Sequence, residues 1–276
     1  MDEQIIATYC LCDDLLKALH HQEDPQRQMT DAEVMTTAFV AALFFRGNIE
    51  RARIMLKEQQ WIANMLSKSR YNRRLHQIKE RFFTVFHLLS TLWKDLNGTS
   101  IYAIDSFPIA VCDNYRIPRA KIYRQEAFRG YIASKKRYFY GVKIHLMITQ
   151  NGQPVELFLT PGSFGDVEAL HYFAFDLPAG AVIYADKAYN DYAVEDLLRE
   201  VAQISLLPIR KKNSKRPLSP ATTFLQHYHR KMIETVGSMI EGMLPKSIHA
   251  VTSQGFELKI VLFVVAYSLD CCFNAL

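Results

Sequence analysis

The strongest constraint on the fold is a change of hydrophobic pattern at Asn97-Gly98-Thr99. Before this break, apolar residues recur at the spacing of amphipathic helices, and after it short apolar runs and alternating stretches are typical of strands. With 276 residues, 49% of them hydrophobic, the chain can bury a sizeable core. We expect a small all-helical N-terminal domain over residues 1–97 and an α/β domain over residues 98–276, in which helices flank a mixed sheet.

Two helices can be placed in the N-terminal part. Thr30 and Glu33 match a capping box and Gly47-Asn48 supplies a stop, which predicts a helix near residues 31–46. Apolar residues at helical spacing predict a second helix over about residues 72–94. Basic residues cluster around its start, and they fit either a solvated helix face or a contact with DNA.

A hairpin is predicted after the break. The stretch from Tyr138 to Thr149 alternates, an Asn151-Gly152 turn follows, and residues 155–160 return. Later runs predict a helix at about residues 192–201 and a strand at residues 204–209.

Two short apolar strands each end in an aspartate. Residues 101–104 precede Asp105, and residues 181–185 precede Asp186. If the two acids lie side by side, their repulsion calls for a cation between them, although each alone could be only a helix cap. Magnesium prefers oxygen ligands, and two ions ~3.5–4 Å apart can activate the attacking oxygen and stabilise the leaving oxygen in phosphodiester chemistry.

A third carboxylate is expected on a helix further along the chain. The predicted core stripe of this helix is Met232, Val236, Met239 and Met243. A polar face is formed by Arg230, Glu234, Ser238 and Glu241. We choose Glu234 from this face as the third acid, although a glutamate on a helix is more commonly a solvated charge.

The formal charge of +5 is unevenly distributed. Between Asn114 and Lys143, nine Lys or Arg stand against Glu126, a net +8, and between Leu207 and Lys231 seven stand against no acid, a net +7. The rest of the chain therefore carries −10. Such segregation indicates a surface that binds a polyanion.

Aromatic residues are interleaved with the first group of cations, a mixture suited to phosphate contact and base stacking. We call residues 112–138 the basic insert. Alternatively, this segment is a loop on the protein surface, in which the aromatic side chains pack locally and the cations are solvated. The predicted DNA contacts are Arg116, Arg119, Lys121, Arg124, Lys135, Lys136, Arg137, Lys143, Lys187, Arg210, Lys211, Lys212 and Arg230.

Five cysteines without CxxC spacing and without a signal peptide indicate reduced thiols in the cytoplasm. A zinc site from Cys10, Cys12, His20 and His21 matches no usual ligand spacing and is set aside. The apolar run at residues 260–269 is shorter than the ~20 residues of a membrane span, so we expect a buried helix and no membrane partner.

Four stretches resemble the sequence blocks of DDE transposases, and the insertion-sequence 982 family in particular. They are Ile104-Asp105-Ser106-Phe107-Pro108-Ile109, Tyr140-Gly141-Val142-Lys143-Ile144-His145-Leu146, Ala185-Asp186-Lys187-Ala188-Tyr189 and Arg230-Lys231-Met232-Ile233-Glu234-Thr235. The resemblance covers about residues 100–270 well and the helical N-terminus more loosely.

This resemblance implies an RNase H-like catalytic domain in which Asp105, Asp186 and Glu234 bind Mg²⁺, two ions in all, with Mn²⁺ as a substitute. It implies a DNA endonuclease and strand transferase that hydrolyses the terminal inverted repeats of its element. The freed 3′-hydroxyl would then attack target DNA by transesterification. We further expect a bacterial, nucleoid-associated homodimer on DNA, without a small-molecule cofactor.

Related families often carry Tyr and Lys where this chain has His227 and Glu241, and Tyr228 could replace the former. Two other functions stay open: a degenerate or domesticated DNA-binding relative without cleavage activity, and another RNase H-like nuclease. The three acids count against the first, and the basic insert with the helical N-terminus counts against the second. Four further residues are interpreted as turn, cap or core residues: Asp113, Asp166, His145 and His171.

Overall fold

The computed structural model describes residues 1–133 and 135–275, with side chains up to residue 274; Ser134 of the basic insert and Leu276 lie outside the described residues. The chain divides into two compact units, Met1–Leu89 with Ile240–Leu276, and Ser90–Met239. These units group the C-terminal residues with the N-terminal helices, whereas the sequence placed them in the second domain. The predicted division into folding domains at residues 97 and 98 stays a prediction.

The first unit is helical. Its described helices are α1 (Asp2–Ala18), α2 (Asp31–Phe45), α3 (Ile49–Glu58), α4 (Lys68–Gln77), most of α5 (Lys79–Leu96) and α9 (Ser253–Ala275). The capping box is present, since the Glu33 amide donates to Thr30 Oγ1 at 3.1 Å and the Thr30 amide to Glu33 Oε2 at 2.7 Å. Arg46 and Gly47 then adopt φ values of 47° and 74°, which ends α2 as predicted.

The single helix predicted over residues 72–94 is wrong, because α4 and α5 are separate helices. Ile78 lies between them with φ −98° and ψ 14°, outside the helical region. Leu75, Ile78 and Phe82 are all buried, so the apolar spacing runs across the break without interruption. Hydrophobic periodicity therefore could not reveal the junction.

Within the described part of the second unit, six strands form one mixed sheet. They are β1 (Ile101–Cys112), β2 (Arg129–Ile132), β3 (Arg137–Thr149), β4 (Pro154–Pro161), β5 (Val182–Ala185) and β6 (Ser205–Pro208). The order is β2-β3-β1-β5-β6, and β4 also pairs with β3. Strand β3 is antiparallel to β1 and β4, whereas β5 and β6 run parallel to β1. The predicted hairpin is confirmed as β3 and β4.

Helices complete this unit: a short α6 (Asp166–Ala169), α7 (Tyr192–Ala202) and α8 (Pro220–Met243). Helix α7 packs against β6. On α8, the His229 ring stacks on Tyr184 of β5 with centroids 4.8 Å apart. Three antiparallel strands followed by two parallel strands, with helices against the sheet, confirm the predicted RNase H-like fold.

The strand that carries Asp105 is much longer than predicted. It was expected to end at that residue, but β1 pairs with β3 from Tyr102, opposite Thr149, to Cys112, opposite Tyr140. Its parallel pairing with β5 does end at Ile104, which lies opposite Ala185. Asp105 thus lies within β1, one residue beyond the last pair with β5.

Burial of α9 agrees with the interpretation of its apolar run, since residues 260–269 are all buried. None of the helices in the described part of the chain has the length and apolarity that crossing a membrane requires. The five cysteines are free thiols.

Candidate active site

Asp105 and Asp186 are brought together by the parallel pairing of β1 and β5. The Ser106 amide donates to Asp105 Oδ1 at 2.8 Å. Burial raises the pKa of Asp105 to about 7, the Ser106 hydrogen bond opposes this rise, and the negative charge of Asp186 adds to it. The register of β1 and β5 puts Asp105 and Asp186 one residue beyond the same strand pair, and Asp105 responds to the charge of Asp186. Their role in binding metal stays a prediction.

Arg230 of α8 connects Asp186 to the third predicted acid. Its Nη1 atom lies 3.3 Å from Asp186 Oδ1, and its Nη2 atom lies 2.8 Å from Glu234 Oε1. Asp186 Oδ1 is buried, and no described donor is aligned to form a hydrogen bond with it, so its contact with Arg230 is an ion pair only. One guanidinium therefore bridges two carboxylates that would otherwise repel each other.

Helix α8 packs on the sheet through a different stripe from the predicted one. The buried positions are Gln226, His229, Ile233, Val236, Gly237 and Ile240, whereas Met239 is exposed and Met232 and Met243 are half-buried. Of the predicted stripe only Val236 is buried, so that prediction is wrong: the core face is rotated by about one residue, ~100°. The polar face is as predicted, with Glu234, Ser238 and Glu241 exposed.

A second network of polar and charged side chains includes Ser106, the residue that follows Asp105 on β1. Ser106 Oγ donates to Asp166 Oδ1 at 2.8 Å, and Lys143 Nζ lies 3.2 Å from the same oxygen and 2.7 Å from the Phe164 carbonyl oxygen. Lys143 is therefore half-buried and already paired, and we leave it out of the proposed DNA contacts. Asp166 was interpreted as a turn or cap, and no motif spacing indicated its link to Ser106, 60 residues earlier.

His145 is a core residue, as expected. It is fully buried, its Nε2 atom lies 2.9 Å from Thr160 Oγ1, and its ring stacks on Phe158 with centroids 4.8 Å apart. Burial lowers the pKa of His145 to about 4, so the imidazole is neutral at physiological pH. Its Nδ1 atom lies 3.5 Å from the hydroxyl of the buried Tyr189.

A buried ion pair supports the loop that carries Asp186. Arg210 donates to both carboxylate oxygens of Glu195 at 2.6 and 2.7 Å, and to Asn190 Oδ1 at 3.0 Å. Asn190 in turn donates to the carbonyl oxygens of Lys187 and Ile209. Because the Arg210 side chain is only 9% exposed and both of its Nη atoms are engaged here, we leave it out of the proposed DNA contacts as well.

Arg210→Met is expected to destabilise the protein by about 3–5 kcal/mol, because it leaves the Glu195 carboxylate buried beside a single, more distant cation. That cation is Arg216, 3.9 Å from Glu195 Oε2. Urea unfolding measures the loss. The matched control is Lys211→Met, a neighbouring exposed lysine, which should change the free energy of unfolding by less than about 0.5 kcal/mol. Equal stability of the two variants would contradict a supporting role for Arg210.

The basic insert presents most of its cations to solvent. The exposed ones are Arg116, Arg119, Lys121, Arg124, Arg129, Lys135, Lys136 and Arg137, of which Arg129 is paired with Glu126. Tyr140 anchors the insert, since its hydroxyl donates to the Tyr123 and Gln125 carbonyl oxygens. Tyr131 and Tyr138 form an exposed ring pair with centroids 4.9 Å apart. Beyond the insert, Lys187, Lys211 and Lys212 are also exposed.

The donor set of Asp105, Asp186 and Glu234 fits a hard divalent cation, because it consists of carboxylate oxygens only and Asp186 Oδ1 lacks a hydrogen-bond donor among the described residues. The carboxylate oxygens of these three acids are not as close together as the ligand atoms of a single bound ion. Among the described residues, the only group of three or more possible ligands whose ligand atoms all lie within 4.8 Å of one another is His21, Glu23 and Asp31.

The His21, Glu23 and Asp31 group is already engaged in ion pairs with arginines, although Glu23 Oε2 is buried without a hydrogen-bond donor among the described residues. Asp31 accepts from Arg74 Nε at 2.6 Å and lies 2.7 Å from His21 Nε2, and Glu23 is paired with Arg27. The zinc site that we set aside shares only His21 with this group.

Without metal, stability is expected to fall as the pH rises from about 4 to about 7. The folded-state pKa of Asp105 is about 7, above its ordinary value of 3.8, so the folded protein holds a proton that the unfolded chain releases in this window. The change is at most about 1.4 kcal/mol per pH unit. Urea unfolding in a chelator at pH 5 and pH 8 measures it, and Asp105→Asn should flatten the dependence. Mg²⁺ should restore stability at pH 8, and an unchanged pH dependence in the variant would contradict this account.

The sheet order and the paired carboxylates place the chain in the class of RNase H-like proteins. Within that class, the family model described as "Transposase DDE domain" matches residues 96–247, which is more than half of the chain and includes all three predicted acids. The chain belongs to this family of transposases. The narrower affiliation with the insertion-sequence 982 family stays a prediction.

No curated protein matches the chain. A solved structure, "Crystal structure of the Mos1 mariner paired end complex with Mn", is similar over 84% of this chain and 86% of that chain, with 13% sequence identity and a TM-score of 0.23.

Proposed function

We propose that this transposase cleaves the ends of its own insertion sequence and joins the freed 3′-hydroxyl to target DNA by metal-dependent hydrolysis and transesterification. The observation that carries the proposal is the juxtaposition of Asp105 and Asp186, with Glu234 linked to Asp186 through Arg230. Carboxylates gathered beside cationic surfaces suit chemistry on a phosphodiester.

Asp105, Asp186 and Glu234 would hold two Mg²⁺ ions, with Mn²⁺ as a substitute. When bound, the ions would supply activation of the attacking oxygen and charge stabilisation of the leaving oxygen. Arg230 now shares its guanidinium between Asp186 and Glu234. If Asp186 and Glu234 bind metal instead of Arg230, the Arg230 guanidinium would be free to bind a DNA phosphate beside them.

The DNA partners would be the terminal inverted repeats and the target DNA, bound in part by the exposed cations of the basic insert. Two ends must be handled in one reaction, which favours a homodimer on DNA. We expect the protein in the bacterial cytoplasm with the nucleoid, where its DNA is found, and we expect no small-molecule cofactor.

The direct test uses labelled duplexes that carry the inverted repeats flanking the gene. In Mg²⁺, the protein should cut at the repeat end and leave a 3′-hydroxyl, and with a supercoiled plasmid it should give a joined product. Cleavage of any duplex without joining would favour the nuclease alternative. Binding without cleavage in Mg²⁺ or Mn²⁺ would favour the domesticated relative.

Replacing Lys135, Lys136 and Arg137 together with Ala should weaken DNA binding across sequences. Because these exposed cations would neutralise backbone phosphates, the slope of log K against log salt should fall by about 0.9 for each lost contact on duplex DNA. Fluorescence anisotropy at several salt concentrations measures the slope.

The control for this triple variant removes the same charge elsewhere, by Lys57→Ala with Lys68→Ala and Arg199→Ala, all of them exposed. If both triple variants keep the wild-type slope, the cations of the basic insert face solvent in the complex, as in the alternative interpretation of that segment.

A further inference from the structure

A cavity of about 770 Å³ lies in the first unit, at the turn between α2 and α3. It is walled by the end of α2, the turn of residues 46–48, the start of α3, residues 245–249 and one face of α9. Gly47 lets this turn approach α9 closely: a Cβ atom there would lie 2.7 Å from Phe263 Cζ, and its φ of 74° disfavours other residues. All of these elements belong to one compact unit, so the cavity is a feature of that unit alone.

The polar groups of this cavity are predominantly cationic. Arg46, Arg51, Lys246 and Lys259 line it, together with His249, and no Asp or Glu is among its described lining residues. Arg46, Arg51 and Lys246 are exposed, and no ion pair ties them to a carboxylate of the described chain. Lys259 is half-buried and donates to the His249 carbonyl oxygen. Four basic residues without an acidic one in the lining favour an anion at this position, although burial lowers the pKa of Lys259.

The rest of the lining is apolar and largely aromatic. It includes Phe44, Phe45, Leu262 and Phe263. These apolar side chains cannot form hydrogen bonds or ion pairs with a small inorganic anion. They suit a ligand that carries a flat apolar group next to its anionic group. The volume lies in the ~300–1,000 Å³ range of ligand pockets. A nucleotide combines both chemistries, because its base has an apolar π-face and its phosphates carry charge.

We propose that this cavity binds an unpaired nucleotide of a DNA strand, with the base against Phe44 and Phe45 and the flanking phosphates against Arg51 and Lys246. The inference rests on the proposed function for its choice of DNA. It adds to that function a second kind of contact, with single-stranded DNA, in the unit that does not contain Asp105 or Asp186. Paired bases present no free π-face to such a surface, so the strand must be unpaired there.

The test is photocrosslinking of the full-length protein to a single strand that carries 5-iododeoxyuridine, with the linked peptides mapped by mass spectrometry. Wild-type protein should form a crosslink in the peptide that contains Phe44 and Phe45. Arg51→Ala with Lys246→Ala should lose that crosslink and lower the salt slope for single strands by about 0.7 for each lost phosphate. Lys57→Ala with Lys68→Ala removes the same charge from exposed sites outside the cavity and should change neither readout.

Two further measurements separate the contributions of the base and the phosphates. An abasic strand of equal length keeps every phosphate, so it should bind wild-type protein more weakly than the thymine strand, and Phe44→Ala should remove that difference. Crosslinks confined to other segments, or equal salt slopes in the two double variants, would overturn the proposal. A double variant that loses binding to anionic vesicles but not to DNA would also overturn it, in favour of a membrane surface.

Failure of this proposal can be distinguished from failure of the proposed function. Metal-dependent cleavage of end DNA by wild-type protein, together with no crosslink at the cavity, would reject only the cavity assignment. A crosslink in a protein that never cleaves DNA would keep the nucleotide site and reject the transposition chemistry.

Discussion

Asp105→Asn and Asp186→Asn should each abolish cleavage of end DNA in Mg²⁺ while leaving binding to that DNA largely intact. Each substitution removes a charged oxygen ligand and keeps the shape of the side chain. Metal-ion catalysis contributes several kcal/mol to transition-state stabilisation, so we expect the rate to fall by about 10³-fold or more. Labelled duplex carrying the inverted repeat measures cleavage, and a gel shift measures binding.

The matched control is Asp95→Asn, which neutralises an exposed aspartate of α5 in the same unit and should cleave as the wild type does. Asp105 and Asp186 both contact other residues of the fold, Ser106 and Arg230 respectively. Urea unfolding of each variant therefore checks that the fold is retained. Loss of the Asp105 charge, which burial and the charge of Asp186 disfavour, should stabilise the metal-free protein. Folded variants that both continue to cleave would rule these residues out as the metal site.

Glu234→Gln should lose cleavage to a similar degree, whereas Glu241→Gln should keep the wild-type rate. The two glutamates are seven residues apart on α8, ~10 Å along its axis, so they cannot both reach the same metal ions. Glu234 is joined through Arg230 to Asp186, at 2.8 and 3.3 Å. Glu241 is exposed and forms no ion pair with a described residue.

The outcome of this pair of variants also tests the register of α8. Both changes neutralise one exposed carboxylate on the same helix, so each serves as the control for the other, and a Mn²⁺ titration separates weakened metal binding from lost chemistry. Loss of cleavage in Glu241→Gln with retention in Glu234→Gln would show that the catalytic position lies two turns further along the helix. It would also leave the Arg230 and Glu234 pair as a surface ion pair, since the Glu234 side chain is 51% exposed.

The sequence alone was sufficient where neighbouring residues decide the structure. The capping box of Thr30 and Glu33, the end of α2 at Gly47 and the hairpin turn at Gly152 depend on hydrogen bonds and backbone angles within a few residues. The strand that ends before Asp186 is also marked locally, by an apolar run and the acid that follows it. Together with the resemblance to known blocks, these signals led to the fold class and to the three candidate acids.

Tertiary structure decided what depends on residues distant in the chain. Strand β1 continues to Cys112 because β3 pairs along its length, and the core face of α8 is set by the sheet beneath it. Lys143 and Arg210 were predicted to contact DNA as members of basic segments, and the structure shows in addition that they are paired with Asp166 and Glu195. Spacing along the sequence cannot show which buried carboxylate neutralises which cation, because that pairing forms only when the packed elements bring the two charges together and exclude water from around them.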